Sequence, residues 1–397
     1  MPSLSRIEVG PARDEDEVQR FLRVVSQALF FPTMDQDVWL AREGRENIRV
    51  ARVDGSIAGG LILQRMGQWF GGRSVPMSAV RCVGVGPEHR ASGVASHLMR
   101  AALVEMKDAG VAISTLFPAT QPVYRRAGYE RAGLRLRYRL PAAAIDVHDR
   151  ETAIRVKRDD DVEFIRDIYT HRARYTNGNL DRNEWYWQRI HDPLPHGQAH
   201  YMYVVDGESG PEGYISYAHR PTPTPHRHEI DVIDWSASTP RAQRRLLSFL
   251  ADHRSMVEWI NLCGPPADPA LIQLGEQRAA VTERIDWMLR IVDVRTALEA
   301  RGYPPGLTQE LHMEVTDDVI EHNNGCFVLS VADGTGRVSR GGRGDIRTNV
   351  RGLAAMYTGH LTPAALQLAG LLNGEDTVLS AAAHTFAAPA PWMLDMF

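Results

Sequence analysis

Two stretches of this chain combine residue types and spacings that could do chemistry. Arg90-Ala91-Ser92-Gly93-Val94-Ala95-Ser96 places a cation and a run of small side chains directly before an apolar helical pattern of Val94, Leu98, Met99 and Leu103. Small residues let backbone N–H groups reach a ligand without interference from Cβ, and the start of a helix carries partial positive charge. That combination suits an anion of pyrophosphate size. Tyr124-Arg125-Arg126-Ala127-Gly128-Tyr129 offers something different. A phenol with a pKa of about 10 keeps its proton at neutral pH yet can donate it.

The elements that must hold these groups are legible around them. Val80 to Val85 is an apolar, β-branched run that predicts a buried strand, ended by Gly86-Pro87, with a helix opening after Arg90. Ile113 to Phe117 predicts the next strand, Pro118 to Pro122 a break, and Val123 to Ala127 a short helix stopped by Gly128. Cys82 falls in the central strand, where a buried inert thiol is the plain expectation and a place facing an acyl group the sharper one. Upstream, Arg6 to Val9 reads as a strand. The acid-rich start at residues 11–17 opens a helix with Val18, Phe21, Leu22, Val25 and Ala28 on one face. Ile48 to Val53, Asp54-Gly55 and Ile57 to Leu63 predict a hairpin, and Arg135 to Leu140 a closing strand. Two other phosphate loops do not fit. A P-loop needs Gly-Lys-Ser/Thr at the helix start, and Gly84-x-Gly86 followed by Glu88 and His89 lacks the dinucleotide spacing.

Arg90-x-x-Gly93-x-Ala95 between strand and helix resembles the acetyl-CoA loop of the GNAT acyltransferases. Tyr124-x-x-x-Gly128-Tyr129 after the next strand resembles the segment where those enzymes set a tyrosine against the CoA sulfur. The resemblance implies acetyl-CoA as co-substrate. It would be held by Val83, Gly84, Val85, Arg90, Ala91, Ser92, Gly93, Val94, Ala95 and Ser96, with Ala119 and Thr120 on its far side. Tyr124 would be the general acid for the departing thiolate, and no metal is required.

Residues 141–290 read as a decayed copy of this pattern. Ile154 to Val156 and the acidic start at 159–163 repeat the opening, and Ile230 to Trp235, a break, and Arg241 to Leu247 repeat strand, loop and helix. That loop has no glycine, and Arg244 and Leu246 stand where small residues would be needed. From residue 291 the character changes: a short helix near Val294, strands at Leu311 to Val315, Cys326 to Val331 and around Val338, then two short helices between Leu353 and Leu372. This end resembles a sterol-carrier-protein module. The predicted fold class is α+β: tandem GNAT folds, the second degenerate, then a sterol-carrier-like domain, divided as 1–140, 141–290 and 291–397.

In that order, and with a chain finishing Pro391-Trp392-Met393-Leu394-Asp395-Met396-Phe397, the sequence resembles the Eis family of acetyltransferases. The resemblance implies acetylation of several amines on aminoglycoside or polyamine-like molecules, a hexamer, and the C-terminal carboxylate as general base, a role that falls on Phe397. An apolar tail of this kind predicts docking rather than fraying. For a cationic acceptor the resemblance points to the segment after the first helix, with Phe30, Asp35 and Trp39, joined by Asp395 and by Cys82 beside the acyl group.

Whole-chain quantities agree with such an enzyme. A length of 397 residues predicts two or three domains, 44% hydrophobic residues can build a core in each, and a net charge of −4 argues against a nucleic-acid partner. Cys82, Cys263 and Cys326 are too scattered for a disulfide or metal framework. No apolar run reaches membrane-span length and the first residues lack a signal-peptide core, so a cytoplasmic protein is expected. His226, His228 and Asp231 follow a proline-rich loop and read as a solvated turn entering a strand. Trp185, Tyr186 and Trp187 predict a short amphipathic helix packed on a sheet. Two alternatives remain open from sequence: a non-catalytic acyl-CoA or lipid-binding scaffold, and an acyltransferase for protein lysine or longer acyl-CoA.

Overall fold

In the computed structural model, which describes residues 6–30, 36–191 and 199–397, the chain divides into two units. The first is built from Met1–Gly133, Asp286–Ala388 and Phe397, the second from Leu134–Ile285 and Pro389–Met396. The class is α+β, with mixed sheets and packed helices.

The first unit opens with β1 (Ile7–Pro11), α1 (Glu15–Leu29), α2 (Gln36–Glu43), β2 (Ile48–Val53), β3 (Ser56–Phe70), β4 (Arg73–Val85), α3 (Val94–Asp108), β5 (Ile113–Leu116), α4 (Gln121–Arg126) and the start of β6 (Glu130–Pro141). Asp14 begins α1 by accepting from the Glu17 N–H, and Glu15, Asp16 and Glu17 complement the helix dipole. Strand order is β1-β2-β3-β4-β5, antiparallel except for the parallel β4–β5 pair. A parallel pair needs a crossover, which α3 supplies, burying Val94, Leu98, Met99, Leu103 and Met106 against Leu61, Leu63 and Val80. Gly60 and Gly84 let α1 come close: a Cβ there would lie 2.5 Å from the Phe21 ring and 3.0 Å from Val25 Cγ2.

The second unit contains β7 (Ile154–Val156), α5 (Val162–Arg174), β8 (Leu180–Asp181), α6 (Glu184–His191), β9 (His200–Asp206), β10 (Pro211–Pro221), β11 (His228–Ala237), α7 (Pro240–Asp252), β12 (Val257–Gly264), α8 (Pro269–Ile272) and the start of β13 (Ala280–Ile291). Its sheet runs β7-β9-β10-β11-β12-β6, again with one parallel pair, β11–β12, bridged by a crossover helix, α7. Trp185, Tyr186 and Trp187 are buried on α6. The closing strands are exchanged. Met288 to Ile291 of β13 pair with β5 in the first unit, while Leu136 to Pro141 of β6 pair with β12 in the second. A cut of the chain at 140 and 290 therefore follows the sequence order but not the sheets.

The chain then adds α9 (Val294–Ala300), β14 (Gln309–Thr316), β15 (Gly325–Ala332), β16 (Thr335–Arg340), β17 (Ile346–Asn349), α10 (Val350–Thr358), α11 (Pro363–Leu368), β18 (Leu372–Asn373) and α12 (Asp376–Thr385) to the first unit. Their sheet runs β16-β15-β14-β17-β18. Arg290 on β13, fully buried, donates to both Asp317 oxygens at 2.7 and 2.6 Å and so ties this module to the first sheet. No helix among the described residues is long and apolar enough to cross a membrane.

Candidate active site

Gly93 caps α3 with φ at 91°, and no side chain caps the helix. A Cβ at Gly93 would meet nothing nearer than 3.7 Å, so the backbone angle, not crowding, requires glycine. Ala91 before it is also left-handed, at φ 61°. The first-turn N–H groups of a helix have no intrahelical partner, and here the loop of Arg90, Ala91 and Ser92 leaves them facing an exposed surface.

The strand feeding this loop is bulged. Gly60 pairs with Gly84 and Ile62 with Arg81, which leaves Cys82 and Val83 opposite a single residue, with Cys82 at φ 49° and half-buried. The β4–β5 ladder stops at Ala79 and Thr115 although β4 runs on to Val85.

Tyr124 is set by the end of α4. The Tyr129 N–H donates to the Tyr124 carbonyl at 3.0 Å and the Gly128 N–H to the Arg125 carbonyl at 3.0 Å, with Gly128 at φ 84°. These two bonds form a Schellman cap, and the Tyr124 and Tyr129 rings, 6.2 Å apart, make its customary apolar contact. The spacing Tyr-x-x-x-Gly-Tyr is thus the cap itself. The two phenols then differ. Tyr129 is locked, its hydroxyl 2.8 Å from Ser114 Oγ, which donates to the Ser78 carbonyl. Among the described residues the Tyr124 hydroxyl has no hydrogen-bond partner, although the residue is only 6% exposed. Burial pushes its pKa up to about 12, so it stays protonated across the physiological range.

The remaining expected residues are placed as follows. Ala119 and Thr120 are exposed just before α4. In the first unit Phe397 stands edge-on to Phe117, ring centroids 5.4 Å apart, beside the loop from β5 into α4. Phe30 ends α1 in the left-handed region and is 91% exposed, Trp39 is buried on α2, and Asp35 lies outside the described residues.

Asp395 is not available to an acceptor, contrary to the sequence expectation. Within the second unit it is 2% exposed, takes Arg182 Nη2 at 2.6 Å and Nε at 3.1 Å, and accepts from the Tyr169 hydroxyl at 2.9 Å. Arg182, also fully buried, holds Asp234 at 2.7 and 3.2 Å. The rest of the tail is fastened there too: the Leu134 N–H donates to Pro391 and the Met393 N–H to Leu134, while Trp392 and Leu394 pack with Cys263. Nothing in the local sequence around Arg182 signals this role, because its partners are far along the chain.

The geometry agrees with comparisons to known proteins. Residues 11–132 and 178–291 each match an acetyltransferase (GNAT) domain, and residues 294–394 match a sterol carrier protein domain. A GCN5-related N-acetyltransferase from Anabaena variabilis superposes with a TM-score of 0.94 at 35% identity, covering 99% of this chain and 100% of that one. The chain belongs to the GCN5-related N-acetyltransferases and is an acetyltransferase. Within that class its build is Eis-like: Eis1 from Mycobacterium abscessus superposes with a TM-score of 0.82 at 26% identity, over 99% of this chain and 100% of that one. An uncharacterized N-acetyltransferase of Streptomyces avermitilis is 28% identical over 370 residues, 82% of each chain.

Proposed function

We propose that the first module moves an acetyl group from acetyl-CoA to a primary amine of a cationic small molecule, aminoglycoside or polyamine-like, with Tyr124 as proton donor and a carboxylate on Phe397 as the group that draws the amine's proton. The observation that carries this is Tyr124, a residue only 6% exposed whose hydroxyl has no hydrogen-bond partner among the described residues, in the same module as an uncapped, glycine-initiated helix. The first-turn N–H groups of α3 and Arg90 suit the pyrophosphate.

The proton balance sets how each group works. As the amine nitrogen bonds to the acetyl carbon and the carbon–sulfur bond breaks, the sulfur takes a proton and the nitrogen loses one. With Tyr124 at about 12, transfer to a thiolate of pKa ~8.5 is uphill by ~5 kcal/mol. Tyr124 therefore acts chiefly by hydrogen-bonding the sulfur as its charge grows, and regains any proton it gives from the one the amine releases. A carboxylate of pKa about 3.5 is ~7 units below an alkylammonium, so it attracts the cation and passes the proton to water rather than keeping it.

The test is thiol release from acetyl-CoA over a panel of aminoglycosides, polyamines and lysine peptides. Tyr124→Phe is expected to lower kcat by about a hundredfold or more, with KM for acetyl-CoA little changed. One glycine added after Phe397 is expected to lower kcat as well. Turnover that survives Tyr124→Phe removes the donor, and turnover that survives the added glycine removes the carboxylate.

A further inference from the structure

We propose that the C-terminal sterol-carrier module is a catalytic brace: its Arg351 positions Tyr124 through Glu130 and Arg125. The proposal rests on Tyr124 being the proton donor. Helix α4 has six residues, too few to hold its own shape in water, so its place must come from what grips its ends. No side chain caps its start. At its other end, Glu130 is almost fully buried and spans two arginines. Its Oε1 accepts from Arg125 Nη2 at 2.7 Å and Nε at 3.1 Å, and its Oε2 accepts from Arg351 Nη2 at 2.5 Å and Nε at 3.0 Å.

Arg125 follows Tyr124 directly on α4, whereas Arg351 opens α10 of the C-terminal module. Both arginines use two donors on one oxygen each, an arrangement that fixes direction as well as distance. The Gly128 turn is gripped by the same side of the molecule's first unit. A Cβ there would lie 2.8 Å from Arg290 Nε and 3.1 Å from Val350 Cγ2, and Arg290 is itself clamped by Asp317. The phenol that no hydrogen bond restrains is therefore aimed by a carboxylate that the C-terminal module half-neutralises. Without Arg351, the buried Glu130 charge keeps only Arg125 and the Arg131 N–H, both on its Oε1, and α4 can rotate Tyr124 away.

The experiment is a double-mutant cycle on the full chain, combining Arg351→Met with Tyr124→Phe and reading kcat and KM for acetyl-CoA separately. Arg351→Met alone is expected to lower kcat about ten- to hundredfold with KM changed little, because a small misplacement of a reacting group acts on the chemical step. In the Tyr124→Phe background the same change is expected to have almost no effect. Arg351→Lys, which keeps charge but loses the paired donors, is expected to recover part of the rate and guards against a variant that fails to fold. A full Arg351→Met effect in the Tyr124→Phe background, or an effect confined to KM, overturns the brace while leaving Tyr124 in place. No loss from Tyr124→Phe itself overturns both.

Discussion

The two acetyltransferase modules share a strand plan and differ at the start of one helix. In each, antiparallel strands lead to a parallel pair joined by a crossover helix, and in each the strand before that helix carries an extra residue against its antiparallel neighbour, at Cys82–Val83 in β4 and at Ile233 in β11. At α3 the cap is a bare glycine. At α7 the Thr239 hydroxyl accepts from the Ala242 N–H at 3.2 Å, and Pro240 removes an N–H altogether. The Glu212 carboxylate adds to this by accepting from Thr239 at 2.8 Å and from Arg241 at 2.7 Å. Where the first module opens its crossover helix on a bare glycine, the second opens its own on a hydroxyl backed by a carboxylate. Past the bulge the contrast repeats. Gly84 leaves β4 without a side chain, whereas Asp234 on β11 reaches Arg182 and, through it, Asp395.

That contrast can be broken experimentally. Apart from the loss expected in Tyr124→Phe, the largest effect should come from Arg182→Met. It strands the Asp234 and Asp395 carboxylates in a dry interior and should lower stability by about 3–5 kcal/mol, read from the denaturant midpoint. A loss under about 1 kcal/mol would mean that the network does not hold the second module. A smaller effect should follow Thr239→Ala, which removes the α7 cap for about 1 kcal/mol while leaving kcat and KM for acetyl-CoA unchanged. A raised KM would place α7 in donor binding and end the distinction between the modules.

What was legible in the sequence was what the backbone requires locally. Gly93 and Gly128 sit where φ is positive, and residues at such angles leave a trace that spacing can find. The hairpin appears after Val53 as the pattern put it, and the helix expected after Arg90 opens at Val94, once Gly93 has made its turn. Strand lengths were less legible: β4 begins at Arg73 rather than Val80 and β3 reaches Phe70 rather than Leu63, because the polar residues Gln64 and Gln68 are buried inside the sheet instead of ending it. The strand exchange between β6 and β13 was not legible at all, since pairing between such distant segments has no local signature. Asp395 failed for the same reason. It was expected beside a cationic acceptor, and the cation it actually meets, Arg182, lies 213 residues away.

The difference between the two helix starts is read most directly by calorimetric titration of acetyl-CoA into the wild-type chain, Gly93→Thr and Thr239→Gly. Threonine at φ 91° is strained and carries a hydroxyl able to cap the helix, so it imposes on α3 what Thr239 does at α7. The expected result is one acetyl-CoA per chain, binding at least about tenfold weaker in Gly93→Thr, and no change in Thr239→Gly. Two molecules per chain, or full affinity in Gly93→Thr, would contradict it.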